Sequence, residues 1–94
     1  MLDLSTILAY AIFTTELDQV VYNEKTMLKE FNDLKKMGLD NIRVLLVEGT
    51  NNQEAIDEMD RVLRETSRLG RKTMNKVSDN YGVKITFLKH HKES

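Results

Sequence analysis

The most continuous run of apolar residues in the chain is Ile42–Glu48, which lies between Gly38 and Gly49. The run is rich in branched side chains and is too short for a typical helix, so it predicts a strand. Because its apolar residues do not alternate with polar ones, we expect both faces of this strand to be covered. A second strand is predicted over Val83–Leu88, where apolar and polar residues alternate.

Two longer segments have the 3.6-residue periodicity of amphipathic helices. The first helix is predicted over Glu16–Met37, and Gly38 follows it in the position where glycine commonly ends a helix. The second is predicted as one continuous helix over Asn52–Tyr81, because its apolar periodicity persists through Gly70. Gly82 ends this second helix. Each helix therefore has one apolar face that must be buried against another element.

The first fifteen residues leave two arrangements open. Thr6–Thr14 is rich in β-branched and aromatic residues, which favours a strand and the order βαβαβ with parallel neighbouring strands. If the segment is a short helix, the order is ααβαβ. In both cases the sequence predicts one small α/β domain over residues 1–94, with two long helices on a mostly parallel sheet of two or three strands and a frayed tail over residues 89–94. Because so narrow a sheet would leave apolar helix surface uncovered, we expect a homodimer.

Composition restricts the class of protein. The chain has 94 residues, of which 40% are hydrophobic and 31% are charged, as is typical of a globular domain. It contains no cysteine, which excludes disulfides and thiolate metal sites. The apolar run Ile7–Phe13 is too short to cross a bilayer and lacks the basic flank of a signal peptide. We therefore expect a cytoplasmic protein that does not enter a membrane.

Charge is divided unevenly along the chain. Residues 1–60 contain 5 Lys/Arg and 12 Asp/Glu, whereas residues 61–94 contain 9 and 3. On a continuous second helix, most cations of the basic part form one stripe opposite the apolar face. Arginine suits such a surface because its guanidinium binds carboxylate or phosphate with two hydrogen bonds. The predicted partner-binding residues are Arg61, Arg64, Arg68, Arg71, Lys72 and Lys76.

Two functions are consistent with this basic stripe. The favoured one is a non-enzymatic regulator or inhibitor that docks on a larger protein with an acidic surface. The alternative is a nucleic-acid-binding protein that uses the same cations on phosphates, although no aromatic residues are interleaved with them to stack on bases. A solvated helix face, or contact with the acidic part of a second copy, would explain the stripe without either partner.

Candidate chemistry outside the stripe is sparse. Glu24 falls in the middle of the apolar face of the first predicted helix, where a lone carboxylate needs a partner, so it is a candidate cleft or interface acid. His90 and His91 are adjacent, and neighbours on a strand point to opposite faces, so they do not predict a metal site. We predict no metal and no cofactor. A small hydrolase with Glu24 and Glu48 as its acids is the remaining class, and no complete catalytic motif accompanies them.

Overall fold

The structure, a computed structural model, describes residues 7–66 and 70–92. Seven elements follow one another along this part of the chain. They are β1 (Ile7–Phe13), β2 (Asp18–Val21), α1 (Glu24–Lys36), β3 (Ile42–Gly49), α2 (Asn52–Thr66), α3 (Arg71–Tyr81) and β4 (Lys84–His91).

The four strands form one sheet in the order β2-β1-β3-β4, and every neighbouring pair is antiparallel. The prediction of a mostly parallel α/β sheet with two or three strands is therefore wrong, and the fold is a small α+β domain. The strand interpretation of Thr6–Thr14 is confirmed by β1, and the strand predicted over Ile42–Glu48 is confirmed by β3.

The antiparallel arrangement begins at the turn after β1. The Thr14 hydroxyl oxygen accepts hydrogen bonds from the backbone N–H groups of Glu16 (3.2 Å) and Leu17 (2.9 Å), and it donates one to the Leu17 carbonyl (3.0 Å). A side chain that bonds the nearby backbone in this way offers it an alternative to helix. The chain therefore reverses, and Asp18–Val21 returns along β1 as a strand.

The first helix is consequently shorter than the predicted Glu16–Met37. It is capped at its start by Asn23, whose side chain accepts a hydrogen bond from the backbone N–H of Thr26 at 3.2 Å. Gly38 follows the helix with a φ of 77°, a conformation that glycine adopts without steric cost. The predicted end of this helix at Gly38 is confirmed.

Helices cover both faces of the sheet. Alternate residues of β1 and β3 point to opposite sides, so each central strand contributes to two apolar clusters. The cluster under α1 contains Ile12, Met27, Phe31, Leu34, Ile42 and Val44. The cluster under α2 and α3 contains Ala9, Ala11, Phe13, Leu45, Val47, Ala55, Ile56, Met59, Leu63, Met74, Val77 and Val83.

The second predicted helix is divided into α2 and α3. Gly70 is the N-cap of α3 and has an extended backbone, with φ −104° and ψ 173°. A continuous helix over Asn52–Tyr81 would be about 45 Å long at 1.5 Å per residue, whereas an eight-residue strand spans only about 27 Å. Two shorter helices can both lie on one face of the sheet. The apolar periodicity continues across Gly70 because both helices bury residues on that face.

β4 extends beyond the predicted strand Val83–Leu88. Residues 89–91 pair with β3, so the prediction that the tail frays from residue 89 is wrong for those three residues.

The homodimer stays a prediction. It was expected because a narrow sheet would leave apolar helix surface uncovered, and this reason no longer holds, since the helices lie on opposite faces of a four-stranded sheet. No helix of the described ranges is long and apolar enough to cross a membrane.

Candidate functional site

A cleft of about 400 Å³ opens at one end of the sheet face that α2 and α3 cover. Its volume lies in the range of small-ligand sites. Its walls come from the turn after β1, the start of β3 and the second half of α2. The lining residues are Thr14, Thr15, Glu16, Leu17, Asn41, Arg43, Asp60, Leu63 and Arg64.

Arg43 is the buried cation of this cleft. It is only 5% exposed and lies in β3 between its cross-strand partners Phe13 and His90. Its Nε has no hydrogen-bond acceptor, and no carboxylate of residues 7–66 or 70–92 forms an ion pair with it. Burial lowers the pKa of the Arg43 guanidinium. A buried cation without a counter-charge costs stability, and an anion in the cleft would remove that cost.

Arg64 lines the same cleft in the opposite situation, exposed and paired. Its Nε donates to the two carboxylate oxygens of Asp60 at 2.9 and 3.1 Å. Its Nη2 lies 3.7 Å from Oδ1 of Asp18. The hydrogen bond with Asp60 is the main reason that the pKa of Arg64 is raised. Asp60 is therefore committed to Arg64 and leaves Arg43 without a counter-ion.

The carboxyl groups of Asp18 and Asp60 interact with each other beside Arg64. The hydrogen bond between them raises the pKa of Asp18, and burial raises it further. Burial alone would raise the pKa of Asp60 as well, but its hydrogen bonds with Asp18 and Arg64 lower it. Asp18 is therefore the carboxyl group of the pair that takes up a proton first as the pH falls.

Asn41 supplies a polar group at the rim of the cleft. Its φ of 59° lies in the left-handed region, which asparagine tolerates better than most residues. Its Oδ1 accepts a hydrogen bond from Nε2 of His90 at 2.7 Å, and the His90 ring contacts the edge of Phe87. No acceptor for the Asn41 amide nitrogen is found among residues 7–66 and 70–92.

The predicted basic stripe is neutralised in α2. Arg61 forms ion pairs with Glu58 and with Glu65, the latter at 2.9 Å. The hydrogen bond with Arg61 is the main cause of the lowered pKa of Glu58, and the charge of Lys76 contributes to it. Because Arg64 is also paired, α2 presents alternating charges to solvent instead of a row of cations.

The predicted stripe keeps free cations in α3. Arg71, Lys72 and Lys76 are exposed, and none of them forms an ion pair within the part of the chain that the structure describes. Arg68 lies outside the described residues. Of the six predicted partner-binding residues, the structure therefore separates two that are paired in α2 from three that are unpaired in α3.

Glu24 lies away from the cleft, in the first turn of α1, where it is exposed. The expectation that it lies in the middle of an apolar helix face is wrong, because the helix begins at Glu24. An acid is favourable at that position because the helix dipole is positive there. Among the described residues, no group of three or more histidine or acidic side chains could hold a metal ion.

The sequence interpretation missed Arg43 as a site residue. One signal was available, because Arg43 is the one charged residue among the first six of the apolar run Ile42–Glu48. The turn at Thr14 gave no such signal, since its part in the cleft depends on the pairing of β1 with β2.

The chain has no significant match among protein-family models, curated protein sequences or solved structures.

Proposed function

We propose that the protein is a non-enzymatic binding protein, a small regulator or inhibitor that docks on an acidic surface of a larger protein through the cations of α3. The supporting observation is that Arg71 and Lys72 begin α3, whose first turn contains no acidic residue. The helix dipole makes cations unfavourable at this end of a helix. Fold stability therefore does not explain these two residues, whereas a partner with acidic groups does.

In this proposal, only the second half of the predicted stripe, which lies on α3, contacts the partner. The exposed ion pairs of Arg61 and Arg64 lower the charge that α2 offers to a partner. Arg71 and Lys72 form no ion pair among the described residues, whereas Lys76 lies close enough to Glu58 to contribute to its lowered pKa. Association through such a patch is expected to be fast and sensitive to salt, because exposed charges are screened over about 8–10 Å at physiological ionic strength.

Nucleic-acid binding through the same patch is the alternative function. The formal net charge of the chain is −1, so phosphate binding would depend on this local patch alone. The acidic side chains of α2 lie on the same face of the sheet and would repel a long polyanion. A compact acidic surface that contacts only α3 avoids this repulsion, which favours a protein partner.

Two defined probes test the proposal. Binding of the protein to a short peptide of a few glutamates, which can contact α3 alone, and to random-sequence duplex DNA and RNA would be measured across a salt series. We compare Arg71→Gln/Lys72→Gln with the matched variant Lys25→Gln/Lys36→Gln, which removes two exposed cations from α1. We expect binding to the short glutamate peptide at low salt that the α3 variant loses and the α1 variant keeps.

The other outcomes are equally informative. Tighter binding to the duplexes, lost in the same α3 variant, would assign the protein to nucleic acid instead. Absence of binding to both probes at low salt would contradict docking through α3. Because the substitutions remove unfavourable helix–dipole contacts, the α3 variant should also unfold at the same denaturant concentration as the wild type or slightly higher. A large loss of stability would show that these cations are structural.

A further inference from the structure

We infer that the cleft at Arg43 binds a small carboxylate ligand, with the Arg43 guanidinium as its anchor. This site is separate from the proposed docking surface on α3, since it uses the turn after β1, the start of β3 and the second half of α2. The inference therefore stands or falls independently of the binding properties of α3.

The anchor of the proposed site is Arg43, a buried cation without a counter-charge among the described residues. The residue is 5% exposed, lines the cleft, and has an Nε without an acceptor. A guanidinium presents its N–H groups in a planar fork that matches the two oxygens of a carboxylate. One carboxylate bound in the cleft would supply the counter-charge that Arg43 lacks among the described residues.

The charged side chains in and beside the cleft restrict the charge of the ligand. Asp60 and Glu16 line the cleft together with Arg43 and Arg64, so its charged side chains balance. Asp18 adds a further acid beside Arg64. A phosphate dianion would bring twice the negative charge of a carboxylate close to these acids, so the repulsion is smaller for a carboxylate held at Arg43. The cleft therefore selects a carboxylate over a phosphate.

The uncharged side chains of the cleft indicate the chemistry of the ligand beyond its carboxylate. Asn41 and the exposed Thr15 provide polar groups at the rim, and Leu17 and Leu63 provide apolar walls. Sites for small molecules commonly combine apolar walls with a few placed polar groups. A carboxylate attached to a short, partly apolar group fits this lining, either as a free small acid or as the carboxylate of a peptide.

The test observes the Nε–H of Arg43 directly by NMR on the full chain. The signal is assigned by its absence in Arg43→Lys. N-acetylalanine, its uncharged amide and inorganic phosphate would be added separately up to about 10 mM, the range in which weak single-anchor binding is observed. We expect only the carboxylate to shift the Arg43 signal, together with the backbone amides of residues 14–17 and 41–43.

Variants sharpen this test. Arg43→Gln should weaken N-acetylalanine binding by about tenfold or more, because it removes a charge-assisted pair of hydrogen bonds. Arg61→Gln, which removes an exposed cation outside the cleft, should leave the affinity unchanged. If Arg43→Gln does not fold, Thr15→Val provides the second variant, with a smaller loss expected at the rim. N-acetylaspartate amide, compared with N-acetylalanine, distinguishes a side-chain carboxylate from a terminal one.

Three results would overturn the inference. The Arg43 signal could remain unchanged with every carboxylate, which would mean that the site is satisfied internally. The neutral amide could shift it equally, which would mean that charge is not recognised. Phosphate could shift it equally with the same dependence on Arg43, which would mean that carboxylate is the wrong ligand class.

Discussion

Both ends of the sheet face under α2 bury a polar side chain, but they treat it differently. At the end that we call the closed end, Nδ2 of Asn52 donates to the carbonyl oxygens of Ile7 (2.7 Å) and Val47 (3.2 Å), and only its Oδ1 lacks a partner. At the open end, where the cleft lies, Arg43 has no acceptor for its Nε and no counter-ion among the described residues. At the closed end, the two hydrogen bonds of Asn52 connect α2 to β1 and β3.

The difference between the two ends indicates that the closed end contributes to the stability of the fold, whereas the open end is suited to binding a ligand. A neutral amide with two hydrogen bonds contributes to stability, whereas a buried guanidinium without an anion reduces it. The fold tolerates that cost because the rest of the face is packed with apolar side chains. The open end is therefore the place where a ligand can add the most to the stability of the molecule.

The largest expected effect compares two truncations in α2. Ile56, one turn from Asn52, is 3% exposed, and Leu63 lines the cleft. Ile56→Ala should lower the free energy of unfolding by about 2–5 kcal/mol, as for other buried aliphatic truncations. Leu63→Ala should lower it by about half as much, because the space that it leaves is continuous with the cleft. Urea denaturation measures both. Equal losses would show that the open end is packed as tightly as the closed end.

The second prediction concerns the hydrogen bonds that Asn52 makes at the closed end. Asn52→Ala should lower the free energy of unfolding by about 1–3 kcal/mol, because the buried bond to the Val47 carbonyl and the partly buried bond to the Ile7 carbonyl are both lost. Asn32→Ala is the matched control, since Asn32 is an exposed residue of α1, and it should change stability by less than about 0.5 kcal/mol. Chemical denaturation distinguishes the two. Similar small effects for both variants would mean that the Asn52 amide does not hold the elements together.

The third prediction concerns the buried cation at the open end. Arg43→Met should keep the stability of the protein or raise it by about 1 kcal/mol, because an apolar side chain of similar length replaces an unpaired charge. Arg64→Met should lower it only slightly, since it breaks only exposed ion pairs. Both are measured by urea denaturation in buffer without carboxylates. A loss of several kcal/mol in Arg43→Met would show that Arg43 has a strong partner in solution.

The smallest expected effect concerns pH at the open end. The pKa of Asp18 in the folded state is raised above its ordinary value of 3.8, mainly by its hydrogen bond with Asp60. Ionised Asp18 therefore costs the native state stability at neutral pH, and the cost disappears as the pH falls through the raised pKa. Asp18→Asn should consequently be slightly more stable than the wild type at pH 7, by less than about 0.5 kcal/mol. The two should converge at lower pH.

Glu58 provides the control of opposite sign for that measurement. Its hydrogen bond with Arg61 lowers its pKa below the ordinary 4.5. Its contribution is therefore present at neutral pH and is lost as the pH falls through the lowered pKa. Glu58→Gln should be less stable than the wild type at pH 7, and the difference should vanish in acid. Free energies of unfolding between pH 2 and pH 8 test both variants, and parallel curves would contradict the account.

The strands were largely predictable from the sequence, but their directions were not. The apolar runs at Ile7–Phe13 and Ile42–Glu48 and the alternation after Gly82 correspond to β1, β3 and β4. Whether β1 continues into a helix or turns back depends on hydrogen bonds of one side chain, Thr14. The valine pair in Asp18–Val21 suits a strand and a helix face equally well in the sequence pattern.

The site was predicted only in part, for two physical reasons. The continuous stripe assumed one helix through Gly70, and the geometry of two packed helices cannot be deduced from a shared period. The neutralisation of α2 was predictable, because Glu58 and Glu65 are three and four residues from Arg61, the spacing of helical ion pairs. The burial of Arg43 could not be deduced, since it depends on which elements close over the start of β3.

The most direct test of the central claim is the stability of the wild type and of Arg43→Met, each measured by urea denaturation with and without N-acetylalanine. A ligand that binds only the folded state at ten times its Kd stabilises it by about 1.4 kcal/mol. The account predicts that the wild type gains this amount and that Arg43→Met gains nothing. An equal gain in both proteins, or no gain in the wild type, would contradict a carboxylate site anchored by Arg43.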